Sequence, residues 1–252
     1  MTMALRMQDQ ISRLREHLRY EPTAKRIRGE ALGDLIVDSR RTVLVWEAGT
    51  LVPVYAVPAA DITAELLPVA AENSRRGSAF HRGHGAGQEF TLRTPGGELP
   101  AAAFVADDPE LSAYVLLEYG AFDRWREDEE PVDGHPRDPF HRVDARASGQ
   151  RMKVEFEGRV IAETQQPVLV YETMLPVRAY FPRSDVDFSL LEPSDRQSIC
   201  PYKGHASYWS VRNAGPKGRN IAWSYEEPLP DANPIKGLIA FYDERTDIHN
   251  LG

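Results

Sequence analysis

The chain has 252 residues with a net charge of −8, and 42% of them are hydrophobic against 27% charged. That composition supports one large globular domain or two ordinary ones. The acidic balance argues against a phosphate-backbone binder, so no nucleic-acid partner is expected. No apolar run reaches the roughly 18–20 residues of a membrane span, so no membrane partner is expected either. Cys200 is the only cysteine, which excludes an internal disulfide and suits a reducing, cytoplasmic location.

From the N-terminus, residues 1–22 read as a short amphipathic helix, with Met7, Ile11, Leu14 and Leu18 on one face and Pro22 as its stop. Residues 34–47, "DLIVDSRRTVLVWE", then recur as residues 159–172, "RVIAETQQPVLVYE", at a constant offset of 125. "LVPVYAVP" (residues 51–58) returns as "MLPVRAYFP" (residues 174–182), and "YVLLEY" (residues 114–119) as "GLIAFY" (residues 237–242). Apolar pattern, a proline and a glutamate recur in order, so the chain is read as a duplication. The expected layout is a first repeat over 23–130, a charged, Pro- and Gly-rich linker over 131–150, and a second repeat over 151–252.

Each repeat reads as β. "TVLVWE" and "PVLVYE" are β-branched and aromatic runs too short for helices. "PVYAVP" and "PVRAYFP" are fenced by proline, which points to edge strands. "SYWSVR" alternates, and "GLIAFY" reads as a buried strand. The expected fold is therefore mainly β: two tandem homologous small β domains, tent- or barrel-like, after a short N-terminal helix.

In the second repeat three blocks occur together: "CPYKGHASYW" (residues 200–209), "AWSY" (residues 222–225) and "FYDERTD" (residues 241–247). With them the segment 159–248 resembles the domain of unknown function 427 family, and the first repeat resembles a divergent copy, as in two-copy members. The resemblance implies a compact, mainly β domain with a pocket of small-molecule size. A nucleotidyltransferase label is sometimes attached to the family.

Several residues carry possible chemistry. A phosphoryl-transfer reading would rest on the Asp185/Asp187 pair in "SDVDFS". It lacks a P-loop or Rossmann fingerprint, so these aspartates are expected to shape a turn. His81, His84, His135 and His141 lack ligand-like spacing, so no metal is expected; the sequence names no cofactor. Glu47 and Glu172 recur in both repeats and are assigned a possible fold role, whereas Arg178 (aligned with Tyr55), Lys203, Tyr208 and Trp223 do not recur. Residues lost from one copy are better candidates for a site. Arg178 and Lys203 would hold negative charge, and Trp209, Trp223, Tyr225 and Tyr242 would form an aromatic wall. By strand alternation Trp223 and Tyr225 can face one pocket together, while only one of Tyr208 and Trp209 can.

The expected function is a small-molecule pocket in the C-terminal repeat for a small anionic or aromatic metabolite. If it is an enzyme, Glu172 or Cys200 would exchange protons. The alternative is a non-catalytic binding or interaction module, and nucleotidyl or phosphoryl transfer comes third. A homodimer is left open.

Overall fold

The computed structural model describes residues 4–70 and 86–252. Backbone contacts divide the chain into two units, Met1–Asp138 and Pro139–Gly252. His81 and His84 lie outside the described residues.

In the first unit helix α1 (Met7–Leu14) precedes β1 (Arg19–Pro22), β2 (Ile27–Ala31), β3 (Asp34–Ser39), β4 (Val43–Trp46) and β5 (Val54–Pro58). Then come β6 (Glu65–Pro68), β7 (Gly87–Thr94), β8 (Gly97–Ala106), β9 (Tyr114–Leu117), β10 (Arg124–Glu127) and β11 (Glu130–Val132). The second unit holds β12 (Val143–Ala147), β13 (Met152–Phe156), β14 (Arg159–Thr164), β15 (Val168–Glu172) and β16 (Arg178–Phe181). It continues with β17 (Leu191–Cys200), β18 (Gly204–Val211), the one-turn α2 (Gly215–Gly218), β19 (Ala222–Tyr225), β20 (Ile239–Phe241) and β21 (Asp247–Asn250). No helix among the described residues is long and apolar enough to cross a membrane.

The duplication is visible in the strand order. The larger sheet runs β1-β4-β5-β9-β8-β7-β6 in the first unit and β12-β15-β16-β20-β19-β18-β17 in the second. Position by position these are the same topology. The smaller sheets, β11-β10-β2-β3 and β14-β13-β21, share their three common strands in the same way. Among the described residues neither seven-stranded sheet joins its two end strands, so the sheets stay open and the barrel variant of the expectation is not realised.

Both units use strand alternation to give the large sheet two apolar faces. In the second unit Leu169, Ala179, Phe181, Ala222 and Phe241 pack with Val154, Ile161 and Ala162 of the smaller sheet. The opposite face carries Val170, Tyr180, Ala206, Tyr208, Trp223, Tyr225 and Ala240, with Ala232 and Ile235 of the 3-10 turn Pro230–Ile235 against it. In the first unit the equivalent second face is Val43, Val45, Ala56, Phe104, Ala106 and Leu116.

Three local expectations are corrected. The helix ends at Leu14, and Arg19–Pro22 instead pairs with Val43–Trp46. The helix buries no residue, so nothing supports its extension, while the strand gains a ladder. Val143–Ala147, read as linker, is the strand that pairs with β15. β5 and β16 are interior strands rather than edges, each third in its sheet. Pro53, Pro176 and Pro182 flank these strands and Pro58 only ends β5, so the strand centres keep their donors.

A further pair of side chains explains why the repeated turn recurs. Thr164 Oγ1 donates to Asp185 Oδ2 at 2.6 Å, and Ser39 Oγ donates to Asp61 Oδ2 at 2.7 Å. Asp187 closes the next turn, accepting from the Ser189 backbone N–H at 3.0 Å. Asp185 is thus spent on a bond that both copies make.

Candidate functional site

The second face of the larger sheet in the second unit gathers the polar and aromatic side chains. Arg178 and Tyr180 alternate on β16, as do Trp223 and Tyr225 on β19. Tyr208 on β18 lies directly across from Trp223, and Ala240 on β20 is the ladder partner of both Trp223 and Tyr180. The small Ala240 side chain separates two large ones. The Tyr180 and Trp223 rings stand edge to face at 6.3 Å, and the Trp223 indole N–H donates to the Tyr180 hydroxyl at 3.3 Å.

These side chains frame a recess of about 210 Å³. Trp223, Tyr208, Tyr225, Tyr180 and Tyr242 form its aromatic lining. Glu172, Lys203 and Arg178 supply charge, and Leu175 and Pro176 from the β15–β16 loop complete it. The volume is below the ~300–1,000 Å³ of drug-sized sites.

Lys203 reaches the recess from the tight β17–β18 turn. Its backbone N–H donates to the Cys200 carbonyl at 3.2 Å, and its carbonyl accepts from the Leu229 N–H at 3.1 Å. Gly204 follows at φ +100°, a region that disfavours any Cβ, with the Glu227 carbonyl 3.3 Å from where one would sit. The Lys203 ammonium donates to Glu172 Oε1, and both side chains are at least nine-tenths buried. The other carboxylate oxygen lies 3.4 Å from His141 Nε2, whose ring stacks on Tyr202 at 4.3 Å. Burial pushes the Glu172 carboxyl up, but His141 and Lys203 together outweigh it and hold the group below the usual range.

Arg178 is also committed. Its guanidinium donates to Asp243 Oδ1 at 2.8 Å and to Glu244 Oε1 at 2.6 Å. It lies 5.9 Å from the ring centres of both Trp223 and Tyr242, which themselves pack at 4.5 Å. Burial lowers its pKa, but the two carboxylates reverse this and raise it. The Tyr208 hydroxyl shares a 2.8 Å hydrogen bond with Ser198 Oγ. Burial and the neighbouring Tyr208 push the Tyr242 phenol up to about 12.

A family profile described as "domain of unknown function (DUF427)" matches residues 19–133 and, a second time, 144–251. The chain belongs to this family. Comparison with curated proteins gives no match.

The two DUF427 copies differ most on the face just described, and the ladder allows the comparison residue by residue. Val45 pairs with Val54, and its repeat counterpart Val170 pairs with Arg178. Arg178 therefore corresponds to Val54 rather than Tyr55, because the second copy carries an extra residue between its proline and its strand. By the same ladder Tyr180 answers to Ala56, Trp223 to Phe104, Tyr225 to Ala106 and Ala240 to Leu116. The first copy thus has aliphatics where the second has Arg178, Tyr180 and Tyr225, and a leucine where the second leaves room.

Of the residues singled out from sequence, Glu172, Arg178, Lys203, Tyr208, Trp223 and Tyr225 border the one recess. Cys200 does not line it; its side chain packs against the adjoining aromatic cluster. Trp209 turns to the other face and meets Phe188 at 6.1 Å. Sequence reasoning missed His141, which looked like linker, and Tyr180, which alternation from Arg178 would have found. Asp243 and Glu244 sit in the closing "FYDERTD" block, where a carboxylate pair opposite Arg178 was the available signal. Among the described residues no group of three or more His, Cys, Asp or Glu is arranged to hold a metal.

A second, more open groove of about 450 Å³ is lined in part by Glu157, Lys217, Arg245 and Asp247. Its cations are occupied: Lys217 pairs with Glu157 at 3.4 Å, and Arg245 donates to the Lys217 carbonyl at 2.8 Å. It offers surface charge without an enclosed apolar wall.

Proposed function

We propose that the C-terminal DUF427 copy is a binding site for a small, flat, aromatic metabolite seated against Trp223 and Tyr242. The observation that carries this reading is the replacement pattern on one sheet face. At matching ladder positions the first copy has Val54, Ala56 and Ala106, while the second has Arg178, Tyr180 and Tyr225. Packing alone requires only apolar fill, which the first copy achieves with aliphatics and a single buried aromatic, Phe104. Aromatic groups that border open volume beside a buried ion pair are the usual composition of a ligand site.

The charge balance favours the aromatic half of the sequence expectation over the anionic half. Lys203 is paired with Glu172, and both terminal nitrogens of Arg178 are taken by carboxylates. An anion would have to displace them. An acid/base role is supported by one specific feature: Glu172 borders the recess between two proton-carrying groups, His141 and Lys203. The Asp185/Asp187 pair lends no support to phosphoryl transfer, since Asp185 is bonded as Asp61 is in the other copy.

Thermal unfolding of the intact chain with a panel of one- and two-ring aromatic fragments tests the reading. A binding fragment at 100 times its Kd should stabilise by about 2.7 kcal/mol. Tyr242→Ala, at a half-buried position, should leave melting close to wild type and remove the ligand shift. Fragment shifts that persist unchanged in Tyr242→Ala would place the binding elsewhere.

A further inference from the structure

The hydrogen-bonding capacity left over in the recess leans toward donors. The Lys203 ammonium has three N–H donors and spends one on Glu172. The Tyr180 hydroxyl accepts from Trp223, which leaves its own proton without an acceptor among the described residues. Tyr225 is 5% exposed, borders the recess, and makes no hydrogen bond through its hydroxyl among the described residues. The acceptors are the phenol oxygens and one carboxylate. The Glu172 carboxylate already faces both Lys203 and His141.

Both phenols remain donors at neutral pH. Burial is the main cause of their raised pKa values, and the nearby Glu172 carboxylate adds to it. Each also feels Cys200, and Tyr225 feels Tyr180, so the two hydroxyls and the carboxylate share one neighbourhood. A ligand oxygen at the recess can accept from these hydroxyls and so gain charge-neutral hydrogen bonds there.

We infer that the ligand is a carbonyl compound, a flat ring whose uncharged acceptor oxygen enters the floor of the recess and takes hydrogen bonds from Tyr225, Tyr180 and Lys203. This inference rests on the reading of the recess as a site for an aromatic metabolite, and it adds the chemical class. A carboxylate is disfavoured because the Lys203 charge is already neutralised by Glu172. An ammonium is disfavoured for the matching reason, because the Glu172 charge is already neutralised by Lys203.

The test is a set of four single-ring probes of nearly equal shape, titrated against the intact protein by ligand-observed NMR: acetophenone, ethylbenzene, benzoate and benzylamine. Acetophenone should bind at least tenfold more tightly than each of the others. Tyr225→Phe should cut acetophenone affinity five- to tenfold and leave ethylbenzene unchanged. Tyr180→Phe should act in the same direction and serves as the second variant if the first folds poorly. Equal binding of acetophenone and ethylbenzene would overturn the carbonyl assignment while leaving an aromatic site in place. Preference for benzoate or benzylamine would overturn it as well. If none of the four binds, the aromatic-site reading fails, and this inference fails with it.

Discussion

Replacing Lys203 with methionine keeps the length of the side chain and removes its charge. The Glu172 carboxylate, 7% exposed at its side chain, then loses its closest partner and keeps only His141 at 3.4 Å. Removing one member of a buried ion pair costs about 3–5 kcal/mol, most of it the penalty of the charge left behind. His141 can take part of that charge, so a cost of about 3 kcal/mol is expected. For a domain near 100 residues this corresponds to a fall in Tm of roughly 10–20 °C. Glu172→Gln should cost less than Lys203→Met, because an ammonium on a flexible stem can move toward solvent. The double variant should cost about 2 kcal/mol less than the sum of the two, since neither charge remains stranded. Urea unfolding of the intact chain gives the totals, and hydrogen exchange on Val168–Glu172 reports the second unit. If both single variants fall within 0.5 kcal/mol of wild type (about the size of ordinary surface effects) and their effects add, the buried pair is not a coupled element and the reasoning fails.

The remaining predictions concern acid sensitivity, the shared turn and Gly204. Glu172 titrates below its ordinary range in the folded protein, because His141 and Lys203 overcome the opposing effect of burial. Its stabilisation is therefore full above about pH 5 and is lost as pH falls through the folded value; Glu172→Gln should flatten that part of a stability–pH curve, and an unchanged slope would contradict the assignment. Asp185→Ala should cost about 1–2 kcal/mol by stranding the buried Thr164 hydroxyl. Asp61→Ala should cost the first unit a comparable amount, both measured by urea denaturation, and calorimetry should detect no change in Mg²⁺ affinity in either variant. Gly204→Ala places a Cβ at φ +100° beside the Glu227 carbonyl and should destabilise by about 1–2 kcal/mol, read from the same denaturation curves.

Duplication, β character and family resemblance were legible from residues alone, for a physical reason. The β-branched runs and their flanking turns are local features, and a repeated local pattern implies a repeated strand pairing. "TVLVWE" and "PVLVYE" did become equivalent strands, β4 and β15, each second in the larger sheet of its own unit. Divergence between the copies singled out side chains that one copy folds without, and six of these and their neighbours border one recess. Alternation then correctly grouped Trp223 with Tyr225 and separated Tyr208 from Trp209.

Other features were set only by long-range pairing. Proline at a strand's ends and proline in its middle look alike in a short motif, so β5 and β16 were expected at edges when both lie inside their sheets. A one-residue insertion shifted the repeat alignment, and only the ladder shows that Val54, not Tyr55, stands where Arg178 does. His141 looked like a linker residue until the ladder of β12 with β15 brought its ring beside Glu172. The sequence offered Arg178 as a free cation, because its partners Asp243 and Glu244 lie 65 and 66 positions away. Composition and periodicity determine which elements form and which faces are apolar. Which charges meet, and so which remain available to a ligand, depends on contacts distant along the chain, and those are decided by the tertiary structure.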